Sequence, residues 1–492
     1  MATGESLFVV PALLRELRDV GPRERIPEVF ETNFIQAWFA FEPAELRTVL
    51  EAAPEGDLRN RPVASYVLAV LRGEPVPLLE DAKQNGLRVD AIGHGTAIAM
   101  AVLEARLRGE MHSALSLLDS IRPDAQARHA IFDGSKGGAS FAGVQSGITR
   151  MLAGDFRGAL TDFERVKWTR PPADLAFLVR DAHAKAALVH ALVGDPDLAR
   201  RELADAARCE RTGSWAEPVV DATVQLATIL IGGAHGESIL EPLFALPRQD
   251  IGEMWPYYLL ALVPSALAGE SGAEHVLTVL EQSDLPGSST GQGLPGSASP
   301  LARAALAARA SNTAATRAGI GSADPDMSLT TLMAAGVALD TGAPTQALAL
   351  AARIAPQTDG LRQLELWRLS IVHLAHHALE EDAAAETARR QVEQLAEGLP
   401  RVNLPLAGSA GEHIRGVLSG DPAPVRPRIQ WLTPREAEIL THLAEGLNRR
   451  EIAERLFVSM NTIKTQVSSL YRKLGASSRD TLLGAAYERG LL

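Results

Sequence analysis

Cysteine occurs once in 492 residues, at Cys209, so no disulfide can form within the chain and a disulfide-stapled secreted scaffold is excluded. No apolar run reaches the roughly eighteen residues that a membrane-spanning helix needs. The opening stretch MATGESLFVVPALLRELRD has no basic segment ahead of its apolar one and sets acids beside it, unlike a secretion signal. These absences place the expected location in the cytoplasm, with no membrane partner. A glycine followed directly by lysine, which a phosphate-cradling loop requires, occurs nowhere; DGSKGGAS at residues 133–140 has the order reversed. Strand-like alternation is scarce too, so a phosphoacceptor receiver domain, which needs acids at strand ends, is not legible in the first hundred residues.

Alanine, leucine, arginine and glutamate at helical spacing fill the chain instead. Aromatics are thin at 5%, but 46% hydrophobic residues are ample for a folded core. The most ordered stretch is the last, WLTPREAEILTHLAEGLNRREIAERLFVSMNTIKTQVSSLYRKLGASSRDTLLGAAYERGLL. Thr433, Pro434 and Glu436 spell a capping box, Gly446 ends that helix, and Asn448 with Glu451 repeats the cap for a second helix to about Leu456. Ser459 opens a third helix that Gly475 stops, and Ser477 or Ser478 opens a fourth toward Arg489. Ile439, Leu440 and Leu443, then Ile452, Ala453 and Leu456, then Ile463, Val467, Leu470 and Leu474 give each of the first three helices one apolar stripe. The third helix is left with Asn461, Thr462, Lys464, Thr465, Ser468 and Arg472 on a polar, partly basic face, which suits a major groove roughly 12 Å wide.

LTPRE, EIAERL with V-S, T-I-K-T-Q-V and Y-R-K-L-G, in that order and spacing, resemble the helix-turn-helix domain of LuxR/FixJ-type bacterial transcription regulators. The resemblance covers about sixty residues and implies double-stranded DNA as a partner. It implies base-edge contacts from Lys464, Thr465 and Ser468: Lys464 to guanine O6/N7 or a phosphate, Thr465 to a thymine methyl. Phosphate contacts fall to the second helix, where Arg449 and Arg450 stand. Many members carry His where this chain has Gln466. The family's fourth helix commonly pairs two copies, which assigns dimer contacts to Leu482, Leu483, Ala486 and Tyr487 and implies a homodimer on DNA.

Residues 426–492 hold eleven Lys/Arg against seven Asp/Glu, so they carry +4 and the rest of the chain −16 of the total −12. A cationic module on an acidic body binds phosphates locally, with an affinity that falls as salt rises. Upstream, GEMHSA, GDFRGA, GDPDLA and GAPTQA, starting at Gly109, Gly154, Gly194 and Gly342, each place alanine five residues after glycine, in the spacing range of helix-hairpin repeats. The glycine ends one helix and the alanine makes room for its neighbour. This array resembles degenerate tetratricopeptide repeats, as in the repeat and reader parts of MalT-like regulators without their ATPase. The expected architecture is all-α. It comprises a tetratricopeptide-like superhelix at residues 1–418 with an exposed Gly/Ser/Pro loop at 283–300, a proline-rich linker at 419–428, and a four-helix, winged-less helix-turn-helix domain at 429–492.

Three further constellations invite chemistry. Gly287, Ser289 and Gly291 spell G-x-S-x-G, but in a low-complexity stretch without the strand and helix a nucleophile elbow needs. His373 and His377 beside Glu380 and Glu381 have a metal-like spacing, against which stands the ordinary reading of a hydrogen-bonded helix face. Met254 to Tyr258, MWPYY, fits core packing better than a ligand pocket. The sequence thus points to a transcription regulator with no catalytic residue, cofactor or metal, whose repeats take a protein or small-molecule effector. The alternative is a repeat scaffold whose C-terminal module does not read DNA.

Overall fold

The computed structural model describes the chain except residues 1–8, 75–93, 121–135, 235–236, 270–271, 283–290, 311, 400, 421–431, 433, 475 and 489–490. Among the described residues every regular element is a helix. The helices form two compact units: Met1–Ala261 with Thr278–Ala298, and Leu262–Leu277 with Ser299–Leu492. No described helix is long and apolar enough to cross a membrane.

Within each unit the glycine-alanine words are helical hairpins. Gly109, Gly154 and Gly342 take φ of +75°, +87° and +82°. They close the helices His94–Leu107, Gly138–Ala153 and Ser328–Asp340 in the left-handed conformation that only glycine adopts without strain. The next helices start at Met111, Phe156 and Pro344, and connections this short force each pair to run back on itself. Gly194 differs: its φ is not left-handed, and it is needed for space, since a Cβ there would come within 2.6 Å of His190 Nδ1. Asp155 and Asp195 cap the following helices by accepting from Gly158 N (2.9 Å) and Asp197 N (2.8 Å). The four alanines Ala114, Ala159, Ala199 and Ala347 are all completely buried.

A fifth hairpin escaped the glycine pattern. Between Arg362–Ala378 and Asp382–Ala396 the left-handed position is filled by Glu380, at φ +62°, and Ala385 five residues on is buried.

The expected loop at 283–300 needs correction. Residues 293–300 are the first turns of the helix Gly293–Arg309, with Leu294, Ser297 and Ala298 wholly buried. The small residues that read as a flexible spacer save room inside the fold: a Cβ on Gly296 would lie 2.5 Å from the Gly291 backbone. Residues 283–290, including the serines of the G-x-S-x-G word, lie outside the described residues, as do residues 421–428 of the linker. Ahead of the latter, the helix Gly408–Ser419 ends at left-handed Gly420. The MWPYY word is core, with Met254, Trp255, Tyr257 and Tyr258 buried and Tyr257 Oη donating to Met151 O at 3.3 Å. In the reversed phosphate-loop decoy, Lys136 Nζ donates to Thr32 O at 2.8 Å.

Candidate nucleic-acid interface

The C-terminal domain is set by short-range chemistry. Its helices are Pro434–Ala444, Arg449–Arg455, Met460–Leu474 and Arg479–Glu488. Gly446, at φ +93°, turns the chain after the first, while the Thr433 cap lies outside the described residues. Asn448 Oδ1 accepts from Arg450 N (2.9 Å) and Glu451 N (3.1 Å), and Glu451 Oε2 accepts from Asn448 N (2.7 Å), completing the second helix's capping box. Ser459 Oγ accepts from Thr462 N at 3.1 Å to start the third helix, and Ser478 Oγ accepts from Thr481 N at 3.2 Å to start the fourth. The stripe residues then meet: Ile439, Leu440, Leu443, Ile452, Ala453, Ile463, Val467, Leu470 and Leu474 form one buried cluster, with Leu456 part-buried against it.

With that stripe committed inward, the third helix turns Asn461, Thr462, Lys464, Thr465 and Ser468 to solvent. Thr465 Oγ1 donates to Asn461 O at 3.0 Å, which leaves its methyl group and lone pairs outward. Arg472 lies in the last turn of this helix; its side chain is outside the described residues. Gln466 is half-buried, and its Oε1 is buried without a hydrogen-bond partner, so its amide does not belong to the outward face. Arg449 and Arg450 are exposed in the first turn of the second helix. Arg450 pairs with Glu454 at 3.1 Å, an exposed contact weak enough to exchange for a phosphate, and Arg449 has no ion-pair partner among the described residues.

Two arginines that the sequence reading passed over stitch the domain together. Arg435 donates to Leu456 O (2.7 Å) at the end of the second helix. Arg479 donates to the carbonyls of Leu443, which also accepts from Gly446 N, and of Leu447, clasping the turn that follows the first helix. An arginine at the start of a helix, spaced to meet another helix's end, was the available signal, but it needs the tertiary fold to be recognised.

The assignment of dimer contacts is corrected for two of four residues. Leu482 and Ala486 are completely buried in the domain's own core, because the fourth helix needs an inner stripe of its own. Leu483 is part-buried, packing partly against that core, while Tyr487 is 63% exposed and faces outward. Gly484 shares that exposed side, with open space where a Cβ would stand.

The histidine pair does not gather into a ligand set with the acids beside it. The His373 and His377 rings are 6.3 Å apart, His373 Nδ1 is engaged with Ala385 O at 2.9 Å, and Glu381 bonds to His376 instead, at 2.5 Å. A third imidazole, His413, lies 4.8 Å from His373; burial and that neighbour hold its pKa down to about 4.

Residues 430–486 match the family model described as bacterial regulatory proteins, LuxR family. The HTH-type transcriptional regulator Mb0914c of Mycobacterium bovis is 43% identical over 67 residues, 13% of this chain and 8% of that protein. The transcriptional regulatory protein LiaR of Bacillus subtilis is 35% identical over 103 residues, 21% of this chain and 46% of that protein. The oxygen regulatory protein NreC of Staphylococcus aureus is 41% identical over 61 residues, 12% of this chain and 28% of that protein. The chain thus spans less than half the length of each of these curated relatives. No solved structure matches it. The capped tri-helical core, the outward polar face of its third helix and the family match agree: residues 430–486 are a LuxR-type helix-turn-helix domain of the bacterial regulatory proteins.

Proposed function

We propose that this chain is a sequence-specific transcription regulator that binds double-stranded DNA as a homodimer through residues 429–492 and takes its signal through the helical body, residues 1–418, with residues 419–428 as the tether. The third helix of the C-terminal domain carries the reading: Ile463, Val467, Leu470 and Leu474 are buried while Asn461, Thr462, Lys464, Thr465 and Ser468 face solvent. A helix so anchored presents hydrogen-bonding groups to base edges without giving up its core. Lys464 supplies a donor for guanine O6/N7 or a phosphate, Thr465 a methyl for thymine, and Arg449, Arg450 and Arg472 the phosphate contacts that fix register. A second copy docks along the face of Leu483, Gly484 and Tyr487, where the open glycine lets two helices approach closely. The body's hairpins support a tetratricopeptide-like superhelix as the signal-receiving part, in the cytoplasm.

The test selects duplexes from a random pool with the full chain and titrates salt in a mobility-shift assay. Retained fragments are expected to share an inverted repeat, and affinity to fall as salt rises. Lys464→Ala should weaken selected DNA by about 1 to 3 kcal/mol if it reads a base, or lower the salt slope by about one if it meets a phosphate. Failure to retain any duplex at low salt would hand the chain to the scaffold reading.

A further inference from the structure

The first unit holds a partly open pocket of about 770 Å³ that no step of DNA reading uses. Its wall concentrates residues the chain otherwise has little of. Phe34, Trp38, Phe39, Phe141, Phe177 and Trp215 all line it, in a protein only 5% aromatic. Their rings are already set against one another: Phe39 and Phe177 edge to face at 4.8 Å, Phe39 and Trp215 stacked at 6.0 Å, Trp38 and Trp215 edge to face at 6.0 Å. Valine, leucine and methionine side chains complete an apolar surface. An apolar wall of this extent, open on one side, favours an occupant that removes it from water over solvent alone. Water is a poor filler where its hydrogen bonds go unanswered.

The polar groups at the wall narrow the occupant. The charged lining residues balance, Arg106, Arg165 and Lys185 against Asp162, Asp181 and Glu253. Each is paired: Arg106 with Glu253 at 2.9 Å, Arg165 with Asp162 at 2.9 Å, and Lys185 with Asp181. Among the described lining residues an ionic ligand would therefore find no free counter-charge to meet its own. Donors do remain. Gln145 gives its side-chain carbonyl to Arg106 Nη2 at 2.6 Å and keeps its amide hydrogens, and Lys185 Nζ has three hydrogens for one carboxylate partner. The Tyr66 hydroxyl is engaged with Met100 O at 3.2 Å, and burial pushes its pKa up to about 12, so it stays neutral.

We infer that this cavity binds a neutral, largely apolar small molecule with an aromatic or polycyclic body and at least one carbonyl or hydroxyl oxygen, the body lying against the Trp38–Trp215 wall and the oxygen accepting from Gln145 or Lys185. That such a ligand controls DNA binding rests on the function proposed above; the binding itself does not.

The probe is Prodan, a neutral naphthyl ketone whose emission shifts to the blue in an apolar site, titrated into the full chain, with anilinonaphthalene sulfonate as an anion of similar aromatic size. One Prodan per chain is expected, with the sulfonate at least about tenfold weaker, a difference of about 1.4 kcal/mol. Ala142→Trp and Leu118→Trp, which push an indole into the space from two different helices, should each lower Prodan affinity at least about tenfold. Helicity by circular dichroism is read beside each variant, so that if one fails to fold the other decides. Equal binding of the sulfonate, absence of saturable Prodan binding, or binding untouched by a folded blocking variant overturns the inference. Prodan bound by a chain that retains no DNA would instead sink the regulator reading and leave the cavity's ligand class standing.

Discussion

The C-terminal domain and the helical body solve the same packing problem with different materials. The former builds its core from side chains at three- and four-residue spacing within a few short helices, so whatever faces outward is fixed by the same period. The latter brings Phe34, Phe141 and Trp215 to one wall from helices far apart in the chain, and its most distinctive space is internal. A small domain with one inner stripe per helix keeps little internal volume, and its one described hollow, beside Phe457 and Met460, opens on the surface. A large assembly of hairpins can afford to leave one between its helices.

The most severe way to break this contrast is a charge in the smaller core. Val467→Asp places an unpaired carboxylate where the side chain is 1% exposed, at a cost of about 3 to 5 kcal/mol, comparable to all the stability a domain of this size holds. DNA retention should vanish while Prodan binding by the body persists; loss of both would mean the two regions do not fold independently.

Overpacking a hairpin tests the body in turn. Ala159→Leu sets a branched side chain at a fully buried contact in the first unit and should cost about 1 to 3 kcal/mol in chemical denaturation. DNA affinity of the folded chain should stay unchanged. A neutral effect on stability would show that the alanine of the repeated word is not the packing device described above.

Acid sharpens the comparison next, because the body's second unit buries histidines. His413 Nδ1 is buried without a hydrogen-bond partner, and its pKa near 4 lies below the ordinary 6.5. His373 is lowered as well, first by burial. A histidine depressed in the fold stays neutral there while the unfolded chain takes up a proton. The stability it protects is therefore intact above pH 6.5 and declines as pH falls toward 4, by on the order of 3 kcal/mol. Unfolding free energies of His413→Phe measured across that interval should show a flatter slope than the parent; an identical slope would refute the assignment.

The smallest effect concerns the disguised hairpin. Glu380→Gly relieves a left-handed residue at φ +62° and should stabilise by up to about 1 kcal/mol, whereas Gly154→Ala, at φ +87°, should destabilise by about the same amount. Equal signs for the two substitutions would count against a shared turn geometry.

Much of the reader's face was legible in advance because capping is local. Asn448 and Glu451 needed only each other, and Ile463 with Val467 and Leu470 needed only the helical period. The assignment of Leu482 and Ala486 failed because an apolar position on a terminal helix looks the same whether it faces its own core or a partner. The stretch at 293–300 failed because glycine and serine suit both a solvated spacer and a crowded helix contact, and only the neighbours' distances tell these apart. The hairpin at Glu380 was invisible to a pattern keyed on glycine, although its alanine at Ala385 kept the register.

What this sequence settled unaided is whatever hydrogen bonds and periodicity accomplish within one helical turn or one short connection: the all-helical class, the glycine-marked hairpin turns, and the outward placement of Lys464 and its neighbours. What tertiary structure alone decided is which side chains from distant helices share a space. The aromatic cavity, the arginines that close foreign helix ends and the inward turn of Leu482 all depend on distances between segments that no local pattern encodes, because packing is set by complementary shapes that meet only after the chain has folded.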